Sequence, residues 1–323
     1  MNMKTDITSF GEILIDFTRE GNNESNAALF AQHPGGAPAN VCVAIRRLGG
    51  TPAFIGKVGM DMHGAMLKKV LEDEGIDVHQ CIEDPNFFTT LAFVNINEEG
   101  EREFSFSRKP GADTQIRMEE IDPATVQNAK IFHCGSLSLT DQPARSTTHQ
   151  LIALAKASGV TISYDPNYRA SLWPDEQTAI EQMRSLVPMV DIMKISDEEC
   201  ALLTDQTDPQ QAATALLAQG PKIVAITLGS QGALIANAAG SRVVAGFKSK
   251  VADTNGAGDS FWGAMLYQIA HCDQNLDQID LDTLEQFTRY ANAVAALTVR
   301  KHGAIPAMPT AKEVTEFLDH LDQ

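Results

Sequence analysis

Basic residues are scarce in this chain. Lysine and arginine number 25 against 42 aspartates and glutamates, a formal charge of −17 at pH 7. Nucleic acid and anionic membrane surfaces both require a basic face, so neither is an expected partner; a local basic pocket for a small anion remains compatible. Cysteine is sparse too. Cys42, Cys81, Cys134, Cys200 and Cys272 are scattered, odd in number and without a C-x-x-C pair. That excludes a disulfide framework and a thiolate zinc site, and fits reduced thiols in the cytoplasm. The eight histidines show no metal-ligand spacing and are read as structural or surface residues. No apolar run approaches membrane-spanning length, and the N-terminal MNMKTDITSFGE has no apolar signal core, so a soluble cytoplasmic protein is expected. The standard nucleotide signatures are missing as well. There is no G-x-x-x-x-G-K-[ST], and GAGDSF fails G-x-G-x-x-G because Phe261 takes the third glycine position.

What is present is enough apolar residue for a sizeable core, 43% of 323 residues, and a regular alternation of elements. ITSFGEILIDF, PAFIGKV, KIFHCG, VTISYD, VDIMKIS and KIVAITLG read as strands. PANVCVAIRRLGG, with Pro38 near its start and Gly49-Gly50 at its stop, and ARSTTHQLIALAKA read as helices. Such alternation predicts an α/β fold with a mainly parallel sheet covered by helices on both faces. Two stretches break the rhythm. One is polar, and the other, TTLAFVNINEEGEREFSFSR, alternates apolar and polar positions around Glu99-Gly100 as a hairpin does. They predict a small strand-built flap from about residues 14–33 and 89–111 on a single domain spanning 1–323.

Chemistry concentrates at glycine-rich turns. In DTNGAGDSF, Gly256, Ala257 and Gly258 precede Asp259 and open the apolar helix SFWGAMLYQIA. The first N–H groups of a helix lack intrahelical partners and its dipole is positive there, which suits a phosphate. The nine residues alone equally fit an ordinary turn with Asp259 as helix cap. PGGAPAN brings Gly35 and Gly36 before an early helix, with Asn40 offering a donor and an acceptor suited to sugar hydroxyls; a plain strand–helix loop explains it too. Asp16 closes an apolar strand, where ligands gather in parallel sheets. Arg108 and Arg169, in FSFSRKPGAD and DPNYRASLW, present donor forks for phosphate or hydroxyl oxygens.

PGGAPANVCVAIRRLGG and VADTNGAGDSFWGA resemble the two signatures of the ribokinase family of carbohydrate kinases, in order and separation. FGEILIDF, AFIGKVGMDMHGAML, GEREFSFSRKPGAD, IFHCGSLSL, SYDPNYRASLW and KISDEE resemble its fructokinase branch, so the similarity runs from about Phe10 to Pro309. The resemblance implies a ribokinase-like fold with a β-stranded lid. It implies ATP-dependent phosphorylation of D-fructose or a related small sugar, with the 6-phosphate as expected product. Asp259 becomes the general base, and Gly256, Ala257 and Gly258 the anion hole. The sugar is placed against Asp16, Gly35, Gly36, Asn40, Arg108 and Arg169. The nucleotide follows TLGSQGA, at Thr227, Gly229 and Gly232, with Asn292 near adenine. Glu199 orders water around Mg²⁺, and Ser196 stands where the family has asparagine. Asn255 departs from the usual threonine in a loop that, with Asp253, Thr298, Lys301 and Gly303, occupies the family's monovalent-cation (potassium) positions. The lid implies a homodimer. A 2-keto-3-deoxygluconate kinase, a riboside kinase and a catalytically silent sugar-binding regulator are the competing readings.

Overall fold

The structure, a computed structural model, describes residues 5–96 and 102–321. In chain order its strands are β1 (Thr5–Phe10), β2 (Leu14–Asn22), β3 (Ala28–Gly35), β4 (Pro52–Gly59), β5 (Asp77–Asp84), β6 (Leu91–Ile96) and β7 (Arg102–Ser107). They continue with β8 (Ala129–Gly135), β9 (Thr161–Asp165), β10 (Ile192–Ser196), β11 (Ile223–Thr227), β12 (Gly232–Asn237) and β13 (Gly240–Ala245). Nine of them form one sheet in the order β13-β12-β11-β10-β9-β8-β1-β4-β5. Seven of these, from β11 across to β5, run parallel; β12 and β13 turn back as an antiparallel edge. Helices cover both faces, which is the mainly parallel α/β architecture that the alternation predicts.

The central strands read as unbroken apolar runs because they are buried on both sides. Phe132, Tyr164, Met193 and Ile226 pack on one face with Leu151 and Met183 from the helices Ala144–Ala157 and Glu176–Leu186. Ile131, Ile192 and Ala225 face the other way, onto Phe261, Trp262 and Met265 of the helix Ala257–Ala270 and Val294 of the helix Leu281–Thr298. Each large side chain so buried contributes roughly 1.5–3 kcal/mol. Among the described residues no helix is long and apolar enough to cross a membrane.

One expected strand divides. ITSFGEILIDF runs as β1 in the large sheet, leaves it at Gly11, and resumes as β2 in a second sheet. Gly11 sits at φ +151°, and a Cβ there would lie 2.6 Å from the Pro38 ring. A continuous hydrophobic pattern cannot reveal such a change of sheet. The second sheet has the order β3-β2-β6-β7, two antiparallel pairs joined by a parallel β2/β6 contact. The predicted turn at Glu99-Gly100 lies outside the described residues. On this small sheet Phe17 stacks on Phe93 with ring centroids 5.3 Å apart, while Leu29, Phe30 and Phe93 keep exposed surface. β7 lies against the turn Ala170–Leu172 that follows β9, which sets the small sheet over the ends of the parallel strands.

Candidate active site

The helix Ala257–Ala270 starts at Gly256, which takes φ +75° and is itself the N-cap; no side chain caps the helix. A Cβ on Gly256 would lie 2.7 Å from that of Ala304, so only glycine fits. The first-turn N–H groups of Gly258 and Asp259 are therefore not taken by a capping side chain. Asp259 is not the cap. It lies in the first turn, 8% exposed, and its Oδ2 accepts a 2.7 Å hydrogen bond from Nδ2 of Asn40. Burial raises the Asp259 pKa above the usual carboxylate range, opposed by the Asn40 hydrogen bond and the charges of Lys194 and Arg169.

Asn40 reaches this point because the PGGAPAN loop opens the helix Ala37–Arg47, whose N-cap is Gly36 at φ +109°. A Cβ on Gly36 would lie 2.5 Å from the Glu12 carbonyl oxygen, and one on Gly35 would lie 2.3 Å from Oδ2 of Asp16. The Asp16 carboxylate is thus laid directly along the glycine pair. Beneath the loop, buried Glu12 accepts the Ala37 N–H through Oε1 at 3.0 Å. Burial pushes its pKa up to about 7.

Arg108, at the end of β7, is buried rather than presented at a surface. Its Nε donates to Asp113 Oδ2 at 2.8 Å, Nη1 to Thr140 Oγ1 at 2.7 Å and Nη2 to the Leu137 carbonyl at 2.9 Å. It pins the small sheet to the segment after β8. Arg169 follows β9, donates Nη1 to the Tyr168 carbonyl at 2.9 Å, and acts electrostatically on Asp259.

Behind the glycine turn lies a group of charges of which the sequence reading singled out Glu199 but not Lys194 or Asp165. Lys194, in the middle of β10, is 5% exposed, and its Nζ donates to Oδ2 of buried Asp165 at 2.8 Å. Burial pushes the Asp165 pKa up to about 6. Burial also works against the lysine's charge, but Asp165, Glu199 and Asp259 outweigh it and hold its pKa above the ordinary value. The signal was in VDIMKIS: lysine is almost never fully buried unless paired, so one centred in an apolar strand marks a partner. Glu199 closes the cluster. Its Oε2 accepts from Ser196 N at 2.7 Å and Oγ at 3.1 Å, and its Oε1 from Tyr168 N at 2.7 Å. Ser196 and Glu199 form a reciprocal capping box, which is why serine serves at this position.

The remaining candidates fall into two neighbouring groups. Thr227 ends β11, and Gly229 and Gly232 take φ +56° and +107° in the turn to β12. A Cβ on Gly232 would lie 2.1 Å from the Val244 oxygen. Asn292 donates Nδ2 to the carbonyls of Val244 and Ala245 at 3.0 and 3.2 Å, bracing that edge. In the second group Asp253 joins two loops, accepting from Asn255 N and Gly303 N, both at 2.9 Å. Thr298 turns its hydroxyl inward to Ser260 Oγ at 3.0 Å. Lys301 extends outward, its Nζ 3.5 Å from Glu313.

Residues 4–311 match the profile of the pfkB family carbohydrate kinases. The chain is 44% identical over 316 residues to the probable fructokinase-6, chloroplastic, of Arabidopsis thaliana, spanning 97% of this chain and 82% of that one. The crystal structure of fructokinase with bound ATP from Xylella fastidiosa matches at TM-score 0.91 and 32% identity, over 99% of this chain and 100% of that one. A fructokinase double mutant from Vibrio cholerae, solved with fructose, ADP and potassium ion, matches at TM-score 0.88 and 32% identity, over 98% and 99%.

Proposed function

The chain belongs to the pfkB family of carbohydrate kinases, and from that premise we propose that it transfers the γ-phosphoryl group of ATP to D-fructose, giving fructose 6-phosphate. The observation that carries the chemistry is the Asp259 carboxylate, buried at an uncapped helix start and held by Asn40 from the opposite glycine loop. Phosphoryl transfer asks for positioning and charge stabilisation rather than covalent chemistry. The glycine turn Gly256–Gly258 faces the migrating phosphoryl group with the uncapped Gly258 N–H, and Asp259 accepts the proton of the attacking hydroxyl. General-base assistance of this kind is worth about 10²–10⁴-fold.

In this reading Asp16, Gly35, Gly36 and Asn40 hold the sugar, with Arg169 at its edge. Arg108 acts on the sugar site by anchoring the lid strand β7. The nucleotide lies along Thr227, Gly229 and Gly232, with Asn292 shaping the adenine end. Among the described residues no group of three or more His, Cys, Asp or Glu forms a metal cage. Mg²⁺ suits this site as a companion of the ATP phosphates, since it keeps several waters and takes few protein ligands. In this reading Glu199 orders that water shell with its remaining lone pairs, and the bound ion would neutralise phosphate charge. We assign a monovalent cation, potassium, to the junction of the 252–255 and 298–303 loops that Asp253 ties together. The five free cysteines fit a reducing compartment such as the cytoplasm. The exposed Leu29, Phe30 and Phe93 fit a second copy of this chain paired through the lid.

The substrate test is a competition. The Asp16 carboxylate accepts from hydroxyls and repels another carboxylate. Fructose is therefore expected to exceed 2-keto-3-deoxygluconate in kcat/KM by at least about tenfold, roughly 1.4 kcal/mol. A preference for the acid at equal concentrations would overturn the fructose assignment and leave the kinase mechanism standing.

A further inference from the structure

The small sheet has two faces, and its register assigns side chains to them. In the β2/β3 hairpin Phe17 pairs with Gln32 and Asp16 with His33. Residues directly opposite share a face, and neighbours along a strand alternate. Phe17 and Gln32 accordingly meet one residue, His63 of the helix Met62–Asp73. The Phe17 and His63 ring centroids lie 5.9 Å apart, and Gln32 Nε2 lies 3.4 Å from His63 Nδ1. Asp16 and His33 look the other way. Gly35, two residues beyond His33, shares their face, which is why its Cβ would strike Asp16 Oδ2.

His33 is half-buried, and it lies against Gly303. A Cβ built on Gly303 would lie 3.2 Å from His33 Nδ1 and 3.4 Å from Cδ of Pro306, so both rings rest on bare backbone. Two paths tie Gly303 to the phosphate side. Its N–H donates to Asp253 Oδ2, whose Oδ1 accepts from the N–H of Asn255, the neighbour of Gly256. Its successor Ala304 walls Gly256 itself, with its Cβ 2.7 Å from one built there. One imidazole thus spans from the carboxylate assigned to the sugar to the segment that braces the anion turn.

We propose that His33 is a positioning residue for phosphoryl transfer: seated between Asp16 and Gly303, it carries the placement of the sugar-bound hairpin to the glycine turn at Gly256. This rests on the kinase reading above. Sugar hydroxyls held by Asp16 fix the hairpin, and His33 follows because the two residues are paired across adjacent strands. The imidazole then holds Gly303 and Ala304 against the turn, so the uncapped Gly258 N–H reaches its working position once the sugar is in place. A planar ring suits this place, because a long flexible chain would lose more rotamer freedom on being held there. Sites joined in this way raise each other's affinity by the same factor.

The test measures that factor on the full chain. Calorimetry gives the Mg-ADP affinity with and without saturating fructose, and coupled ADP release gives kcat. In the wild type fructose is expected to tighten Mg-ADP at least about fivefold. His33→Ala should bring the ratio below about twofold, with the fructose-free affinity within about twofold of wild type. Its kcat should fall about 10–10²-fold, the scale of a small misplacement. His33→Val, small and strand-forming, repeats the deletion should alanine weaken the strand. His33→Phe returns a ring to Gly303 and should recover most of the ratio. His63→Ala loosens the opposite face of the same hairpin and should keep the wild-type ratio. An unchanged ratio in the folded His33 deletions, or an equal fall in His63→Ala, would overturn the proposal. A merely structural His33 would lower Mg-ADP affinity equally with and without fructose. A wild type that transfers phosphate to fructose with the two ligands uncoupled overturns the role of His33 alone. One that transfers phosphate to no sugar overturns the kinase reading.

Discussion

Asn40 Nδ2 and Asp259 Oδ2 meet at 2.7 Å across 219 residues of chain. This bond couples the loop assigned to the sugar with the turn assigned to the phosphate. It also favours the charged carboxylate, against the burial that disfavours it. A general base works deprotonated, so kcat/KM should fall as the pH drops through the Asp259 pKa, at a pH above the ordinary aspartate value of about 4. Asn40→Ala removes a donor to the charged form and should move that acid limb upward. Asp259→Asn should keep ATP and sugar binding while lowering kcat at least about 10²-fold. A pH–rate profile of each variant checks this; an unmoved limb in Asn40→Ala would show that another group titrates there.

Arg108→Ala is expected to act on stability and on the sugar together. Removing one partner of a buried pair leaves the other charge unsatisfied, and Asp113 here is 6% exposed. The expected cost is about 3–5 kcal/mol. The anchored strand belongs to the small sheet, so the sugar KM should rise far more than the ATP KM. Denaturant titration with paired KM measurements reads both, and equal rises in the two constants would assign Arg108 to the nucleotide as well.

The layers of the fold were legible because buried parallel strands leave long apolar runs, and VDIMKIS or KIVAITLG cannot be mistaken for surface. The break at Gly11 was hidden because apolar residues continue on both sides of it. Asp259 stood out beside three small residues. Lys194 and Asp165 did not, since each is a single charge inside a strand and their partnership exists only across the β9/β10 register. Arg108 was visible as a residue type, but its burial depends on Thr140 and Leu137, some thirty residues downstream. Ser196 looked like a departure from a motif and is explained locally by its capping box with Glu199.

Gly35→Ala isolates the sugar side. The added methyl would meet the Asp16 carboxylate at 2.3 Å, and Gly35 does not require positive φ, so the backbone itself accepts alanine. Asp16 must then rotate away. Sugar KM should rise at least about tenfold, the scale of one lost charge-assisted hydrogen bond, while ADP affinity by calorimetry stays within about twofold. A matched loss of ADP affinity would mean that the whole loop has moved.

Glu12 should impose a pH dependence on stability. Folded, it titrates at about 7 because it is buried; unfolded, near 4.5. Between those values the folded chain holds a proton that the unfolded chain has released, so this group's contribution declines as pH rises through the window. Each unit is worth about 1.4 kcal/mol, so the total over the whole window is about 3.5 kcal/mol. Glu12→Gln keeps an acceptor for the Ala37 N–H and cannot ionise. Whatever constant offset the amide introduces, the variant should gain about 2.5 kcal/mol relative to wild type between pH 5 and pH 8. Urea unfolding of both proteins at the two pH values measures that gain. A difference independent of pH would place the Glu12 titration at its ordinary value and would mean that water reaches the carboxylate beneath the glycine loop.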